Sequence, residues 1–241
     1  WGAMIIAISE PVKKHLIDDF KLPESNIEVI RNGIDIDKFV SGASIVTKSQ
    51  ARKRLGLKDD EVIGTIGRLS DVKGQRYLIA AMPGIMKHFP RAQLLIVGCG
   101  KIKNNLVKLS KNLGVDKNVV FTPALKDTRE ALAAMDIFVM PSLEEGLGLA
   151  LMEAMAFGLA VVGTKVGGII DLVKTGENEI LVEPKDSTAI ASAVVTLLSD
   201  NKKAKELSVA AREYIISNFS QDKMSIGTES LYYKILTYER I

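Results

Sequence analysis

Residues 141–156 read Pro-Ser-Leu-Glu-Glu-Gly-Leu-Gly-Leu-Ala-Leu-Met-Glu-Ala-Met-Ala, with seven residues between Glu145 and Glu153. Gly146, Leu147 and Gly148 form a glycine-rich turn that runs straight into a helical pattern. A helix start has N–H groups with no partner in the helix, so it is a ready anion site. The carboxylates can accept hydrogen bonds from sugar or ribose hydroxyls. Glu153 stands in the otherwise apolar run 149–156. If it is buried it needs a partner, because an unpaired buried charge is costly. The alternative is a Glu153 that faces solvent.

A second cluster is Gly67-Arg68-Leu69-Ser70-Asp71-Val72-Lys73-Gly74. Gly67 permits a sharp turn. Arg68 offers a planar fork and Lys73 a point charge, a combination suited to a diphosphate. Two solvated loop cations are the plainer reading. Gly98-Cys99-Gly100 is a third turn, without the fuller dinucleotide-binding glycine fingerprint. Gly98 and Gly100 fit either a tight strand-to-helix turn or close approach of backbone to a ligand. Cys99 reads as a small packing residue, with no His nearby in sequence to activate it. A fourth turn, Gly163-Thr164-Lys165-Val166-Gly167-Gly168-Ile169-Ile170-Asp171, is expected to precede another helix.

Each turn follows a short, almost continuous apolar run: 62–66, 94–97, 137–140 and 159–162, with further runs at 119–121 and 180–182. Runs of this kind are expected of strands buried on both faces. Apolar stripes at helical spacing lie between them: Tyr77, Leu78, Ala81, Met82, Ile85 and Met86; Ile102, Leu106, Leu109 and Leu113; Ile190, Val194, Leu197 and Leu198. Gly114 and Gly158 stand where left-handed helix ends are needed. The rhythm predicts an α/β fold, a doubly wound, Rossmann-like parallel sheet with its ligand beyond the carboxyl ends of the strands. Before residue 58 the pattern changes. A strand is expected at 4–9, a helix at 10–20, a strand at 27–30, a turn at Asn32-Gly33 and a basic helix at 50–57. Helices are also expected at 204–216 and 224–236.

The 241 residues, 47% of them hydrophobic, suffice for a substantial core. The net charge of +3 is interspersed and argues against a nucleic-acid partner. It is compatible with an anionic small ligand or with weak attraction to an anionic membrane surface. One cysteine and two histidines make a zinc site an unfavoured expectation, and no metal is expected. A single cysteine forms no internal disulfide, which fits the cytoplasm. No apolar run approaches the length of a membrane span, and no signal peptide is read. The start at Trp1, inside an apolar run, suggests a fragment. Lys48, Arg52, Lys53, Arg54 and Lys58 read as a solvated helix face or, alternatively, as a contact for anionic lipid.

Together these residues resemble the retaining glycosyltransferases of the glycosyl transferase group 1 family, which have the two-domain GT-B fold. The resemblance rests on Asn32-Gly33-Ile34-Asp35 with Phe39, Gly67-Arg68 with Lys73-Gly74, the pair Glu145 and Glu153, and Val166-Gly167-Gly168 with Asp171. It implies that the chain is the C-terminal, nucleotide-sugar-binding half of that fold. Residues 1–57 would be the remnant of an N-terminal acceptor domain plus a linker, 58–215 the donor-binding domain and 216–241 a helical segment. Arg68 and Lys73 would hold the pyrophosphate and stabilise it as leaving group, Glu145 would contact the donor sugar, and Glu153 the ribose. The glycine-rich turns, Gly67, Gly98, Gly100 and Gly146 to Gly148, would approach the ligand. The donor would be a UDP- or GDP-hexose, no metal or other cofactor would be needed, and the acceptor would be a saccharide or lipid-linked group. Peripheral membrane association of the full-length protein, at the cytoplasmic face, is a further implication. With most of the acceptor domain missing, the chain is expected to bind donor but turn over poorly alone. Departures include Leu147 in place of a usual Phe, Ala150 and Ala160 in place of a frequent Pro, and Ile170-Asp171 in place of Pro-Glu. The shorter Asp171 would reach less far toward the ligand. A nucleotide-sugar 2-epimerase and a non-catalytic nucleotide-sugar-binding module are the competing readings.

Overall fold

The computed structural model describes residues 4–40, 46–173, 178 and 180–238. The segment Trp1 to Ala3, on which the fragment expectation turned, lies outside them. Strands β1 (Ile5–Ala7) and β2 (Ile27–Val29) pair in parallel. Helix α1 (Glu10–Asp18) lies between them in sequence, its start capped by Ser9, whose side chain accepts from Val12 N. The short helices α2 (Ile36–Val40) and α3 (Lys48–Arg54) lead to the main sheet.

That sheet contains β3 (Val62–Ile66), β4 (Gln93–Val97), β5 (Val119–Thr122), β6 (Ile137–Met140), β7 (Ala160–Thr164) and β8 (Ile180–Val182). Its order is β5-β4-β3-β6-β7-β8 and every pairing is parallel. The apolar runs look continuous because successive side chains alternate between two buried faces. Val62, Leu95, Phe138 and Val161 point into one core, and Ile63, Leu94, Ile137 and Val162 into the other. Helices α4 (Gln75–Met86), α5 (Lys103–Asn112) and α8 (Ser187–Ser199) cover the second core. Helices α6 (Arg129–Ala134), α7 (Leu149–Phe157) and α9 (Asn201–Asn218) cover the first. The doubly wound, Rossmann-like expectation therefore holds. The chain leaves β3 toward β4 on one side and returns on the other as β6, so the switch point lies between β3 and β6.

Two local expectations change. The glycine pair Gly167-Gly168 leads not into an α-helix but into the 3-10 turn Gly167–Leu172. The basic stretch is not uniformly a solvated face. The Arg52 side chain is only 8% exposed; it donates to Ala134 O at 3.0 Å and pairs with Asp59 at 2.8 Å and Asp136 at 2.6 Å. Helix α10 (Gln221–Tyr238) follows a break at Phe219 and returns to the N-terminal strands. Ile34 N donates to Phe219 O at 2.9 Å, and Gln221 N to Ile34 O at 3.0 Å.

Candidate functional site

The loop after β3 is braced from beneath by the loop after β4. Gly67 N donates to Val97 O and Leu69 N to Cys99 O. The approach is so close that a Cβ on Gly98 would stand 1.9 Å from Gly67 O, and one on Gly100 would stand 2.0 Å from Leu69 O. The close backbone approach considered for Gly98 and Gly100 is therefore real, but what approaches is the Gly67–Leu69 loop of the same chain. Beyond Leu69 the chain makes the 3-10 turn Asp71–Lys73, which brings Lys73 back toward the switch point.

The loop after β6 faces it. Thr164 Oγ1 holds the carbonyls of Ser142 at 2.6 Å and Met140 at 3.3 Å, tying this loop to β7. Gly168 N donates to Glu145 O, and Ser9 Oγ donates to Gly146 O at 2.7 Å. The glycine-rich turn is thus held between the Gly167–Leu172 turn and the N-terminal unit. Its side chains then meet the β3 loop: Lys73 Nζ lies 2.5 Å from Glu145 Oε2, which also accepts from Ser142 Oγ at 3.3 Å. Helix α7 starts at Leu149 after Gly148 (φ 91°), and no side chain caps it. Its first N–H groups are left for another acceptor.

Between the two loops is a cavity of about 420 Å³. Gly67, Arg68, Lys73, Glu145, Gly146, Leu147 and Gly148 line it, together with Ile8, Asn32, Thr65, Gln75 and Ser142. Arg68 is exposed and forms no ion pair among the described residues. The cavity thus combines one free cation, one cation shared with a carboxylate and an uncapped helix start, with hydroxyl and carboxylate acceptors beside them. That set suits a ligand that is anionic at one end and rich in hydroxyls at the other.

Three anticipated residues lie outside this lining: Gly98, Gly100 and Glu153. Glu153 faces Thr128 rather than open solvent, and accepts from Thr128 Oγ1 at 2.8 Å. Burial pushes its carboxyl above the ordinary carboxylate value, and the Thr128 hydrogen bond and the Lys38 charge offset part of that rise. Asp171 serves the N-terminal unit: its Oδ2 accepts from Glu10 N at 2.9 Å and lies 3.6 Å from Arg31 Nε. The lining residues Ile8, Thr65, Gln75 and Ser142 were not anticipated as site residues, and Asn32 was seen as a turn signal and as part of the resemblance, not as a site residue. Among the described residues, no group of three or more His, Cys, Asp or Glu is placed to hold a metal ion. No helix there is long and apolar enough to cross a membrane.

Residues 47–214 match the family model described as Glycosyl transferases group 1. Among curated proteins, an uncharacterized glycosyltransferase of Methanocaldococcus jannaschii is 37% identical, over 92% of this chain and 55% of its own length. The GDP-mannose-dependent alpha-(1-6)-phosphatidylinositol monomannoside mannosyltransferase of Mycolicibacterium smegmatis is 33% identical, over 82% of this chain and 53% of its own. The crystal structure of Anabaena HepE in complex with UDP-glucose matches with a TM-score of 0.88 at 27% identity, covering 97% of this chain and 64% of that one. The chain therefore spans about half the length of the curated relatives it matches.

Proposed function

We propose that this chain, which belongs to the glycosyl transferases group 1 family, binds a nucleotide-diphosphate hexose in the cavity between β3 and β6. It supplies the donor-binding part of an enzyme that transfers the hexose, with retention and without a metal ion, to a saccharide or lipid-linked acceptor. The observation that carries this reading is the meeting of Arg68, Lys73, Glu145 and the uncapped start of α7 at the switch point of a GT-B-type sheet.

In this reading Arg68 and Lys73 take the diphosphate. Lysine has three N–H donors, so Lys73 can keep Glu145 while donating to a phosphate oxygen. Glu145, fixed by Lys73 and Ser142, presents its remaining acceptor sites to hydroxyls of the sugar. The first N–H groups of α7 add their partial positive charge. When the bond to the anomeric carbon breaks, negative charge grows on the departing diphosphate. Fixed cations and N–H groups stabilise that charge more in the transition state than in the bound substrate. Glu153, from the half-buried position beside Thr128, is assigned to the ribose hydroxyls. The division of the chain into an N-terminal remnant, a donor domain and a C-terminal helical segment belongs to the same proposal, as does a cytoplasmic location.

The test is calorimetric titration in EDTA with UDP, GDP and ADP and their hexose conjugates. UDP-glucose and GDP-mannose come first, because they appear with the HepE structure and in the mycobacterial relative's name. One nucleotide series is expected to bind without metal. An Arg68→Ala/Lys73→Ala double variant should bind it at least about a hundredfold more weakly, since two charge-assisted bonds are lost. A folded chain that binds none of the series overturns the reading.

A further inference from the structure

Gln75 is the first residue of α4 and only 1% exposed, yet it belongs to the cavity lining. Its amide nitrogen donates to Arg68 O at 2.9 Å. The nitrogen must face that carbonyl, because two carbonyl oxygens cannot bond each other. The other half of the amide, Oε1, is buried without a partner. Ser70 Oγ, in the same turn, is also buried without one.

An amide placed there for stability alone would be a poor choice. Met or Leu would fill similar space without burying an unpartnered side-chain oxygen; the one bond given up would be that to the Arg68 carbonyl. What Gln75 does achieve is to hold the backbone of Arg68. Arg68 sits on a loop, its side chain is exposed, and no ion pair fixes it among the described residues. From beneath, the neighbouring residues Gly67 and Leu69 are tied to Val97 and Cys99 by their N–H groups. The Arg68 carbonyl is held by Gln75 alone among the hydrogen bonds of the described residues.

We propose that Gln75 is a positioning residue of the donor cavity: by fixing the Arg68 carbonyl it sets the direction from which the guanidinium meets the diphosphate, at some cost in stability. This rests on the donor-site reading of the cavity. The role is one of geometry, so Gln75 itself touches no reacting atom.

The experiment measures two quantities on the same proteins, thermal stability and calorimetric affinity for UDP, UDP-glucose, GDP and GDP-mannose. In Gln75→Met the melting temperature should stay within about two degrees of the parent or rise. Affinity for the diphosphate should fall about tenfold, and equally for the nucleotide and its hexose conjugate, because the sugar is not the group affected. A loss confined to the hexose conjugate, or none, overturns the proposal, as does a loss of affinity that merely follows a loss of stability. Gln75→Glu is the second variant. Its carboxyl can donate to the Arg68 carbonyl only when protonated, so its affinity relative to the parent should recover as pH falls, whereas that of Gln75→Met should not. A flat ratio for Gln75→Glu overturns the proposal even if Gln75→Met does not fold. If the parent chain binds none of the four probes, the donor-site reading itself has failed, and this inference falls with it. If the parent binds and the variants bind equally well, only Gln75 has been misassigned.

Discussion

At the amino ends of β3 and β6, Arg52 is held by Ala134 O, Asp59 and Asp136, while Asp136 also takes Lys48 Nζ at 2.7 Å and Val62 N at 2.7 Å. At the carboxyl ends of the same two strands, Arg68 has no ion-pair partner among the described residues, and Lys73 has Glu145 alone. At each edge an arginine and a lysine from loops or helices next to a strand can be compared, Arg52 with Lys48 and Arg68 with Lys73. At the amino edge Arg52 and Lys48 both meet Asp136 within the fold, so these cations tie α3 to the sheet. At the carboxyl edge the cations border an open cavity of about 420 Å³ beside a helix start with no cap. The contrast teaches that cation type says little about role. On the proposed donor site, what separates a structural cation from a ligand-binding one is whether its hydrogen-bonding capacity is already met within the fold.

The sharpest way to break this contrast is to remove one charge from each edge. Asp136→Ala strips Arg52 of its closest partner and leaves a guanidinium buried with Asp59, which is 81% exposed, as its remaining counter-charge. Breaking such a pair costs about 3–5 kcal/mol, measurable as a lower urea midpoint, while the folded fraction should bind nucleotide as before. Arg68→Ala should do the reverse. An exposed side chain without a partner contributes within about 0.5 kcal/mol to stability, yet its loss should weaken diphosphate binding about ten- to a hundredfold. If Asp136→Ala weakened binding more than folding, or Arg68→Ala the reverse, the two edges would not divide structure from function.

The same contrast marks how far the amino-acid sequence could be read. The sheet was legible because parallel strands with two buried faces leave continuous apolar runs, and four of the six runs end in glycine-bearing turns. Arg68, Lys73 and Glu145 were legible because they sit on those turns. Arg52 was not, because its partner Asp136 lies 84 residues away and a basic helix has the same pattern whether it faces solvent or an aspartate. Helix α6 was missed because six residues make less than two turns, too few for a period to show. Gln75 stands beside Arg76 at the polar start of an otherwise mostly apolar helix, and neither its burial nor its bond to Arg68 leaves any local sign. Glu153 was recognised as needing a partner if buried, but Thr128 is supplied by the turn before α6, which like the five-residue α2 was too short for the periodicity to show.

Two smaller effects refine the carboxyl edge. Ser9 is fully buried, caps α1 and donates to Gly146 O. Ser9→Ala should cost about 1–2 kcal/mol, the worth of a helix cap and a buried bond, and should lower nucleotide affinity by loosening the glycine-rich turn. An unchanged affinity would show that the other holds on that loop, from Thr164, Lys73 and the Gly167–Leu172 turn, suffice without Ser9.

Glu153 gives the smallest effect and the one with a direction in pH. Burial raises its folded-state pKa above the ordinary value of 4.5, so the folded chain binds this proton more tightly than the unfolded chain does. Its contribution to stability is therefore neutral below the ordinary value. It becomes a cost as pH rises through the window up to the raised value, and stays at that cost at neutral pH. Glu153→Gln keeps a hydrogen-bond partner for Thr128 and removes the titration. The variant should gain up to about 1 kcal/mol over the parent at pH 7, with the gain vanishing toward pH 4 in urea unfolding curves. The same substitution should weaken nucleotide binding if the carboxylate serves the ribose, so that a charge costly to the fold is retained for its ligand. A gain independent of pH would mean that packing, not ionisation, sets the cost at Glu153. A gain without loss of affinity would remove Glu153 from the site and leave the cavity edge to Arg68, Lys73 and Glu145.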